Sequence, residues 1–225
     1  MSVLSSFSLF HFTSSLNNLE SILQGGLKYS LIAEKLPMRG VAYLLHSICF
    51  CNIPLSMIEE HVEWYGKYAI GFKRTALRSI GASPVFYLHS DSSLLNKGKN
   101  AIESYKNERF LPYFKQFYGA QYHPLYNAYK KKYFYDEKEW RLFAGEAEVI
   151  KYKDLEDLDA QRKKKNVSAN SSKVLLLNPG MIEYIILETP DDLPSFKCFL
   201  RDHFPLNVED MLTKVLFYTQ IRRDF

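Results

Sequence analysis

The chain has 225 residues, of which 47% are hydrophobic and 24% charged, and its formal net charge is +4. That composition is typical of one packed globular domain and excludes an intrinsically disordered chain. No stretch approaches the roughly 18 consecutive apolar residues of a membrane helix, and no basic residue precedes the apolar part of the amino-terminal segment. We therefore expect a cytoplasmic protein that makes no contact with a membrane.

The first half of the chain is predicted to alternate short strands and helices. The apolar positions of residues 17–24 recur on one helical face and stop at Gly25-Gly26. Ser56 and Glu59 have the spacing of a capping box that opens a helix ending at Gly66. Strands are expected over 8–13, 47–51, 68–73 and 84–88, a loop over 28–46, and a long helix over 92–118.

The second half is predicted to be richer in strands. Segments 138–143 and 147–152 have the pattern of two strands paired across Gly145. The acidic run followed by the basic run within 153–173 predicts an exposed loop. Further strands are expected over 174–177, 183–188 and 212–219, with a helix over 190–204. The sequence thus predicts a single mixed α+β domain over 1–225, without the regular βαβ rhythm of a doubly wound sheet.

Aromatic residues are concentrated between Tyr105 and Tyr135, where lysines and arginines are interleaved with them. Their spacing around Phe110–Tyr118 favours a helix that packs against the core. The alternative is a nucleic-acid surface, because aromatic rings stack on bases while lysines bind phosphates. The candidates for that surface are Lys130, Lys131, Lys132 and Tyr133.

Familiar catalytic and metal-binding signatures are absent from the sequence. It has no G-x-x-x-x-G-K phosphate loop, no G-x-S-x-G elbow and no H-E-x-x-H pair. Cys49 and Cys51 share one face of a predicted strand, but no further ligands follow at zinc spacing. We expect these cysteines to be buried free thiols, and we expect no metal.

Three polar clusters nevertheless stand beside predicted strands. The first is His11-Phe12-Thr13, which leads into a helix N-terminus where free N–H groups gather. The second follows the strand at Ser47, where His61, Trp64 and Tyr65 lie at helical spacing on one face. The imidazole of His61 beside two aromatic rings would form a wall for a flat heterocycle, although the same rings could simply pack the core.

The third cluster contains two glutamates and an arginine. On a strand, Glu137, Glu139 and Arg141 would project from one face. Two carboxylates that share a face raise the pKa of at least one of them unless Arg141 pairs with the other. The cluster is therefore either an acid–base site or a surface ladder of salt bridges.

These clusters carry a resemblance to a known family. The blocks HFTSSLNNLESILQGGL, CFCNIPLSMIEEHVEWYGKYAIGFKR and FYDEKEWR resemble the AbiGi family of abortive-infection (phage resistance) proteins. More remotely, the order of a histidine strand, a following helix and a late strand glutamate is similar to DarT-like ADP-ribosyltransferases. That similarity implies split, bent sheets flanked by helices, with NAD as a substrate in the cleft between the sheets.

The remote similarity also implies roles for individual residues. His11, with Phe12, would bind the nicotinamide side of NAD and Thr13 would lie near its ribose. Ser47 or Tyr43 would replace the usual central residue, and Arg39 or Lys28 would face the pyrophosphate. The catalytic carboxylate would be Glu139 or its neighbour Glu137.

Two functions follow from these resemblances. The first is an antiphage toxin that transfers ADP-ribose from NAD to a macromolecule such as RNA or DNA, restrained by a cognate antitoxin and assisted by a chaperone. The second is a non-catalytic antitoxin or nucleic-acid-binding module of the same system. Expression alone separates them, because a toxin stops growth and an antitoxin does not.

Overall fold

The computed structural model describes residues 6–36, 40–92, 111–168 and 173–224, which form a mixed α+β fold. The strands are β1 (Ser8–Thr13), β2 (Leu27–Lys28), β3 (Ser30–Lys35), β4 (Val41–Cys51), β5 (Tyr68–Lys73), β6 (Ser83–Pro84), β7 (Phe86–Leu88), β8 (Phe114–Gln116), β9 (Tyr118–His123), β10 (Ala128–Tyr133), β11 (Glu139–Lys151), β12 (Val174–Leu175), β13 (Ile182–Leu187) and β14 (Val215–Phe217). The helices are α1 (Leu16–Gly25), α2 (Glu59–Tyr65), α3 (Arg74–Ser79), α4 (Leu155–Ser168), α5 (Leu193–His203), α6 (Val208–Leu212) and α7 (Tyr218–Asp224). None of the described helices is long and apolar enough to cross a membrane.

Eight strands form the central sheet, in the order β14-β13-β5-β1-β4-β11-β6, with β3 paired to β4. All its neighbours run antiparallel except β13 and β14, which are parallel. A separate hairpin, β9–β10, and two small pairs, β7–β8 and β2–β12, surround this sheet.

The sheet divides between β1 and β4. β1 pairs with β5 along its whole length, and β4 pairs with β11 along nearly all of its own. By contrast, β1 and β4 share a single residue pair, Phe10 opposite Cys51. Beyond that pair the imidazole of His11 bridges the strands, with its Nδ1 atom 2.9 Å from the Cys49 carbonyl oxygen. The two halves of the sheet therefore leave a cleft between them.

Helices cover both faces of the sheet. α1, α5 and α6 pack on one face, over a core that includes Leu9, Phe50 and Ile70. α2 and α7 cover the other face through a second cluster that includes Phe10 and Ile186. Alternate residues of β1 thus enter different cores, as the two-residue period of a strand requires.

Most predicted strands are confirmed, but the loop predicted over 28–46 is wrong. That segment contains β3 and the start of β4. Nearly every residue of β4 is buried, on both faces of the sheet. A strand buried on both faces has no alternation of polar and apolar residues, so its sequence carries no two-residue period.

Most of the helix predicted over 92–118 falls on residues 93–110, which lie outside the described residues. In the described part, residues 111–118, the prediction is wrong. From Leu111 the chain makes a short 3₁₀ turn and then enters β8 and β9. Phe114 packs against Phe86, and Phe117 packs against Tyr133 and Tyr135. The helical spacing of these aromatic residues therefore does not mark one helix face.

The exposed loop predicted over 153–173 is instead helix α4 for most of its length. Among the side chains of this helix that the structure describes, only Leu158 is buried, so the sequence shows no apolar stripe there. Asp159 forms ion pairs with Arg162 and Lys163, three and four residues later. An acidic start and a basic end also suit the helix dipole, so the charge pattern that suggested a loop is one that supports a polar helix.

Two smaller predictions are also corrected. Segments 138–143 and 147–152 are not a hairpin, because β11 runs through both and pairs with β4 on either side of a bulge at Gly145. The helix ending at Gly66 begins at Glu59, after a 3₁₀ turn, with Ile58 at the N-cap position and no side-chain cap. Ser56 lies inside that turn, so the capping-box prediction is wrong.

Candidate functional site

A cavity of about 530 Å³ lies where the sheet divides. β1 contributes His11 and Phe12, and β4 contributes Ser47, Cys49 and Cys51. Helix α2 forms one wall of the cavity through His61 and Tyr65. Other walls are formed by Tyr122 and Tyr129 of the β9–β10 hairpin and by Leu158 and Arg162 of α4. Its volume lies within the usual range of small-molecule sites.

Glu137 and Glu139 reach this cavity from a sharp turn. Residues Phe134–Glu137 form a 3₁₀ turn, Lys138 adopts a left-handed conformation, and Glu139 begins β11. Glu139 and Arg141 share a face of β11, as predicted, whereas Glu137 lies ahead of the strand. Both carboxylates are buried, which excludes the alternative of a surface ladder.

Each of these carboxylates is held by two cations. The Lys115 ammonium group donates to Glu137 at 2.6 Å and also to Glu139. Lys132 donates to the other oxygen of Glu137 at 2.8 Å, and the Arg141 Nε atom donates to Glu139 at 2.5 Å. The Tyr65 hydroxyl also donates to Glu137, at 2.5 Å.

Arg141 extends this network under the sheet and is fully buried. Its Nη2 atom donates to Glu34 at 2.5 Å, and its Nη1 atom donates to the Tyr43 hydroxyl at 2.8 Å. Tyr43 in turn donates to the Phe114 carbonyl oxygen. The network therefore balances three carboxylates, Glu34, Glu137 and Glu139, against three cations, Lys115, Lys132 and Arg141.

The network keeps both glutamates ionised. Burial raises the pKa of the Glu137 carboxyl, but the ammonium groups of Lys115 and Lys132 outweigh burial and hold that pKa well below its usual range. Burial likewise opposes the ionisation of Glu139, and Arg141 with Lys115 holds its pKa below the usual value. Neither carboxyl is thus tuned toward neutral pH as a general acid or base would be.

The two histidines of the cavity are neutral near pH 7. Burial lowers the pKa of His11, although its hydrogen bond to the Cys49 carbonyl opposes the shift. Burial also lowers the pKa of His61, to about 4. The His61 ring contacts the rings of Phe12 and Tyr65, with centroids 5.0 Å and 4.5 Å apart. These neutral rings give one side of the cavity an aromatic wall.

The structure brings together some of the residues that the remote resemblance singles out, and separates others. His11, Phe12, Ser47, Glu137 and Glu139 all line the cavity, as does Lys28. Thr13 is not among the lining residues, because it ends β1 in register with Tyr68 of β5. Tyr43 is not among the lining residues and accepts a hydrogen bond from Arg141, and Arg39 lies outside the described residues.

The predicted nucleic-acid surface is divided between two faces of the hairpin. Lys132 is buried against Glu137 and is not available to a phosphate. Lys130 lies over the Tyr126 ring, whereas Lys131 and Tyr133 point to the opposite face and are exposed. The lysines of 130–132 therefore do not form one basic patch, because the alternation of strand β10 separates them.

Sequence reasoning did not identify Lys115 or Glu34 as members of the site. Lys115 was expected on a helix, and Glu34 fell within the predicted loop. The sequence held no signal for Glu34, because Glu139 already supplies Arg141 with a carboxylate partner two residues away.

Comparisons with known proteins agree on one family. A family model described as "Putative abortive phage resistance protein AbiGi, antitoxin" matches residues 44–188, more than half of the chain. A curated relative named abortive phage resistance protein AbiGi, from Lactococcus lactis subsp. cremoris, is 24% identical over 217 residues, covering 79% of this chain and 87% of the relative. No solved structure gives a significant match. The span matched by the family model includes α2, the hairpin and β11, which together form much of the cavity.

Proposed function

Because the chain belongs to the AbiGi family of abortive phage resistance proteins, we propose that it is the antitoxin of a defence pair. In this role it binds a growth-arresting partner protein and keeps it inactive in uninfected cells. The description of the family model supports the role. The structural observation that carries it is that Glu137 and Glu139 are each paired with two buried cations.

Both glutamates are committed to structure. A glycosidic bond breaks through a transition state with positive charge on the sugar, and an ionised carboxylate must be available to stabilise that charge. Here the charges of Glu137 and Glu139 are already balanced by buried cations at hydrogen-bonding distance. Such a network holds the turn before β11 in place. It leaves little net negative charge to stabilise the positive charge that develops on a bound sugar.

Co-expression tests the antitoxin role directly. The products of the two flanking genes would be expressed singly and together with this protein in a host that lacks the system. We expect one product to arrest growth alone, and co-expression to restore growth at least a hundredfold in colony counts. Arrest by this protein alone, or arrest that persists in every combination, would contradict the proposal.

A second candidate, NAD-dependent ADP-ribosyl transfer, is favoured by the convergence of His11 and Glu139 on one cavity in the divided sheet. In that reaction the bond between nicotinamide and the ribose C1′ breaks, and the electron pair leaves with nicotinamide. An acceptor oxygen or nitrogen of RNA, DNA or protein then bonds to C1′ and loses its proton to solvent or to a base.

Labelled NAD separates the two functions. The protein would be incubated with adenine-labelled NAD and separate pools of RNA, DNA and protein, and the label in each pool counted. Transfer requires that Glu139→Gln lower incorporation at least a hundredfold. Glu146→Gln is the matched control, since Glu146 is an exposed residue of the same strand. If none of the three pools gained label, ADP-ribosyl transfer would be excluded and the antitoxin proposal would stand.

A further inference from the structure

One face of hairpin β9–β10 carries four tyrosines, of which Tyr122 and Tyr129 line the cavity at one end and Tyr118 and Tyr133 lie beyond it at the other. Tyr118 stands opposite Tyr133, and Tyr122 stands opposite Tyr129, with Lys131 opposite Ala120 between the two pairs. Strand alternation places all these residues on one side of the hairpin, which we name the tyrosine face. The four tyrosines are 42–55% exposed and form two pairs of contacting rings on this face.

The hairpin has the reverse of the usual polarity of a half-buried sheet. Its inner face buries Lys132 against Glu137, packs His123 on Trp64 and binds Gln121 to the Tyr65 hydroxyl. A two-stranded ribbon that packs on a core usually buries its apolar side chains and exposes its charged ones. Folding stability alone does not account for the exposed rings of Tyr118 and Tyr133, which do not line the cavity, so a contact made by those rings is the better explanation.

The tyrosine face is also held in place before any partner arrives. The ring centroids of Tyr118 and Tyr133 are 4.7 Å apart, and those of Tyr122 and Tyr129 are 5.8 Å apart. The Lys35 ammonium group donates to the Ala120 carbonyl at 2.8 Å and ties the hairpin to β3. An aromatic surface already fixed in this way loses little conformational entropy on binding.

We infer that the tyrosine face docks the partner protein, through a partner surface that offers apolar groups to the tyrosines and a carboxylate to Lys131. The inference rests on the proposed antitoxin role and names the surface that performs it. Lys131 is exposed and forms no ion pair within the part of the chain that the structure describes. Clustered tyrosines are typical of the energetic centre of protein interfaces.

A protein fits this surface better than a nucleic acid. A single strand bound through its phosphates requires several cations along its path. Of the three consecutive lysines, only Lys131 lies on the tyrosine face, because Lys130 and Lys132 point to the other side. One cation among four tyrosines suits a carboxylate in an apolar surround.

The test measures binding of the purified product of the flanking gene that arrests growth. Two variants remove the proposed contacts: Tyr118→Ser with Tyr133→Ser, and Lys131→Glu. This pair of tyrosines is chosen because Tyr118 and Tyr133 do not line the cavity. The controls are Lys151→Glu, a matched charge reversal on an exposed strand residue, and Leu206→Ser, at a residue that is 95% exposed.

We expect both hairpin variants to bind the partner at least tenfold more weakly and to lose growth rescue, while the controls stay within twofold of the parent. Circular dichroism and the urea midpoint establish that each variant is folded. Parent-like affinity in the folded hairpin variants would overturn the inference while the antitoxin role stands. If the parent neither binds nor silences either flanking product, both proposals fall.

Two further measurements test whether the tyrosine face binds RNA or a second copy of this protein instead. Anisotropy with a labelled single-stranded RNA, at low and at physiological salt, would overturn the protein reading if the parent bound and the hairpin variants did not. Sedimentation over a hundredfold range of concentration would overturn it in favour of a second copy, if the parent self-associated through the same residues. The absence of both effects, with the tenfold loss above, supports the inference.

Discussion

At the scale of single residues, Lys115 connects the parts of the buried network, because its ammonium group contacts both Glu137 and Glu139. Replacing it with methionine leaves two buried carboxylates that repel each other. We expect Lys115→Met to lower the free energy of unfolding by about 3–5 kcal/mol. Urea denaturation measures the loss, and adding Glu139→Gln should restore part of it. A variant as stable as the parent would show that the network is not the structural element we describe.

His61 makes a prediction about pH. Its pKa is lowered to about 4 by burial, whereas an unfolded histidine titrates near 6.5. The unfolded chain therefore binds the extra proton first as pH falls, so stability is complete above about pH 6.5 and declines toward pH 4. The full shift corresponds to about 3 kcal/mol. Between pH 7 and 4.5, urea midpoints of His61→Phe should fall less than those of the parent, and equal slopes would contradict the assignment.

At the scale of elements, the junction of α2 and β5 depends on Gly66. Its φ angle is +102°, and a Cβ atom there would clash with the Thr13 carbonyl oxygen. We expect Gly66→Ala to destabilise the fold by roughly 1–3 kcal/mol, because a residue with a Cβ atom rarely adopts such a positive-φ conformation, and by a further amount from the clash. Gly145→Ala isolates the first cost, since φ is +82° and no atom lies within 4 Å of its Cβ position. Thermal unfolding should rank parent, Gly145→Ala and Gly66→Ala in that order.

The elements also show which parts of the molecule could be predicted from the sequence. β1, β5 and the end of α2 were predicted correctly, because each has a local signal: an apolar strand pattern or a terminal glycine. The first part of β4, ahead of the strand predicted over 47–51, and α4 were missed for opposite reasons. β4 is buried on both faces and shows no alternation, whereas α4 is polar all round and shows no apolar stripe.

In the candidate site too, only relations between residues close in sequence could be predicted. Glu139 and Arg141 were placed together correctly, because two residues apart on a strand is a local relation. Lys115, 24 positions from Glu139 and on a different strand, is brought in by tertiary packing alone. The split of Lys130–Lys132 between two faces follows from the strand that carries them, and that strand had not been predicted.

At the scale of the whole molecule, the two halves of the sheet are joined near the end of β4, where Asn52 is buried. Its side-chain amide donates to the carbonyls of Ser6 and Ser8, at 2.7 Å and 3.0 Å, on the β1 side. Its backbone N–H donates at 3.1 Å to the Lys138 carbonyl, just before β11. This one residue therefore ties both halves together at the closed end of the cleft.

Removing the Asn52 side chain should weaken the contact between the two halves of the sheet more than the packing within either half. Asn52→Leu removes this donor from the Ser8 carbonyl, at a cost of about 1–3 kcal/mol if that group stays buried, whereas the Ser6 carbonyl still accepts from Arg74 at 3.2 Å. Amide exchange of β4 and β11 should then rise relative to that of β5 and β13, because the two groups of strands no longer open together. Asn178→Leu serves as the control, since the Asn178 side chain accepts from the Gly180 N–H in an exposed turn and joins no two parts of the sheet. Equal acceleration in both halves would mean that the sheet is one cooperative unit and that the division at β1 and β4 has no mechanical consequence.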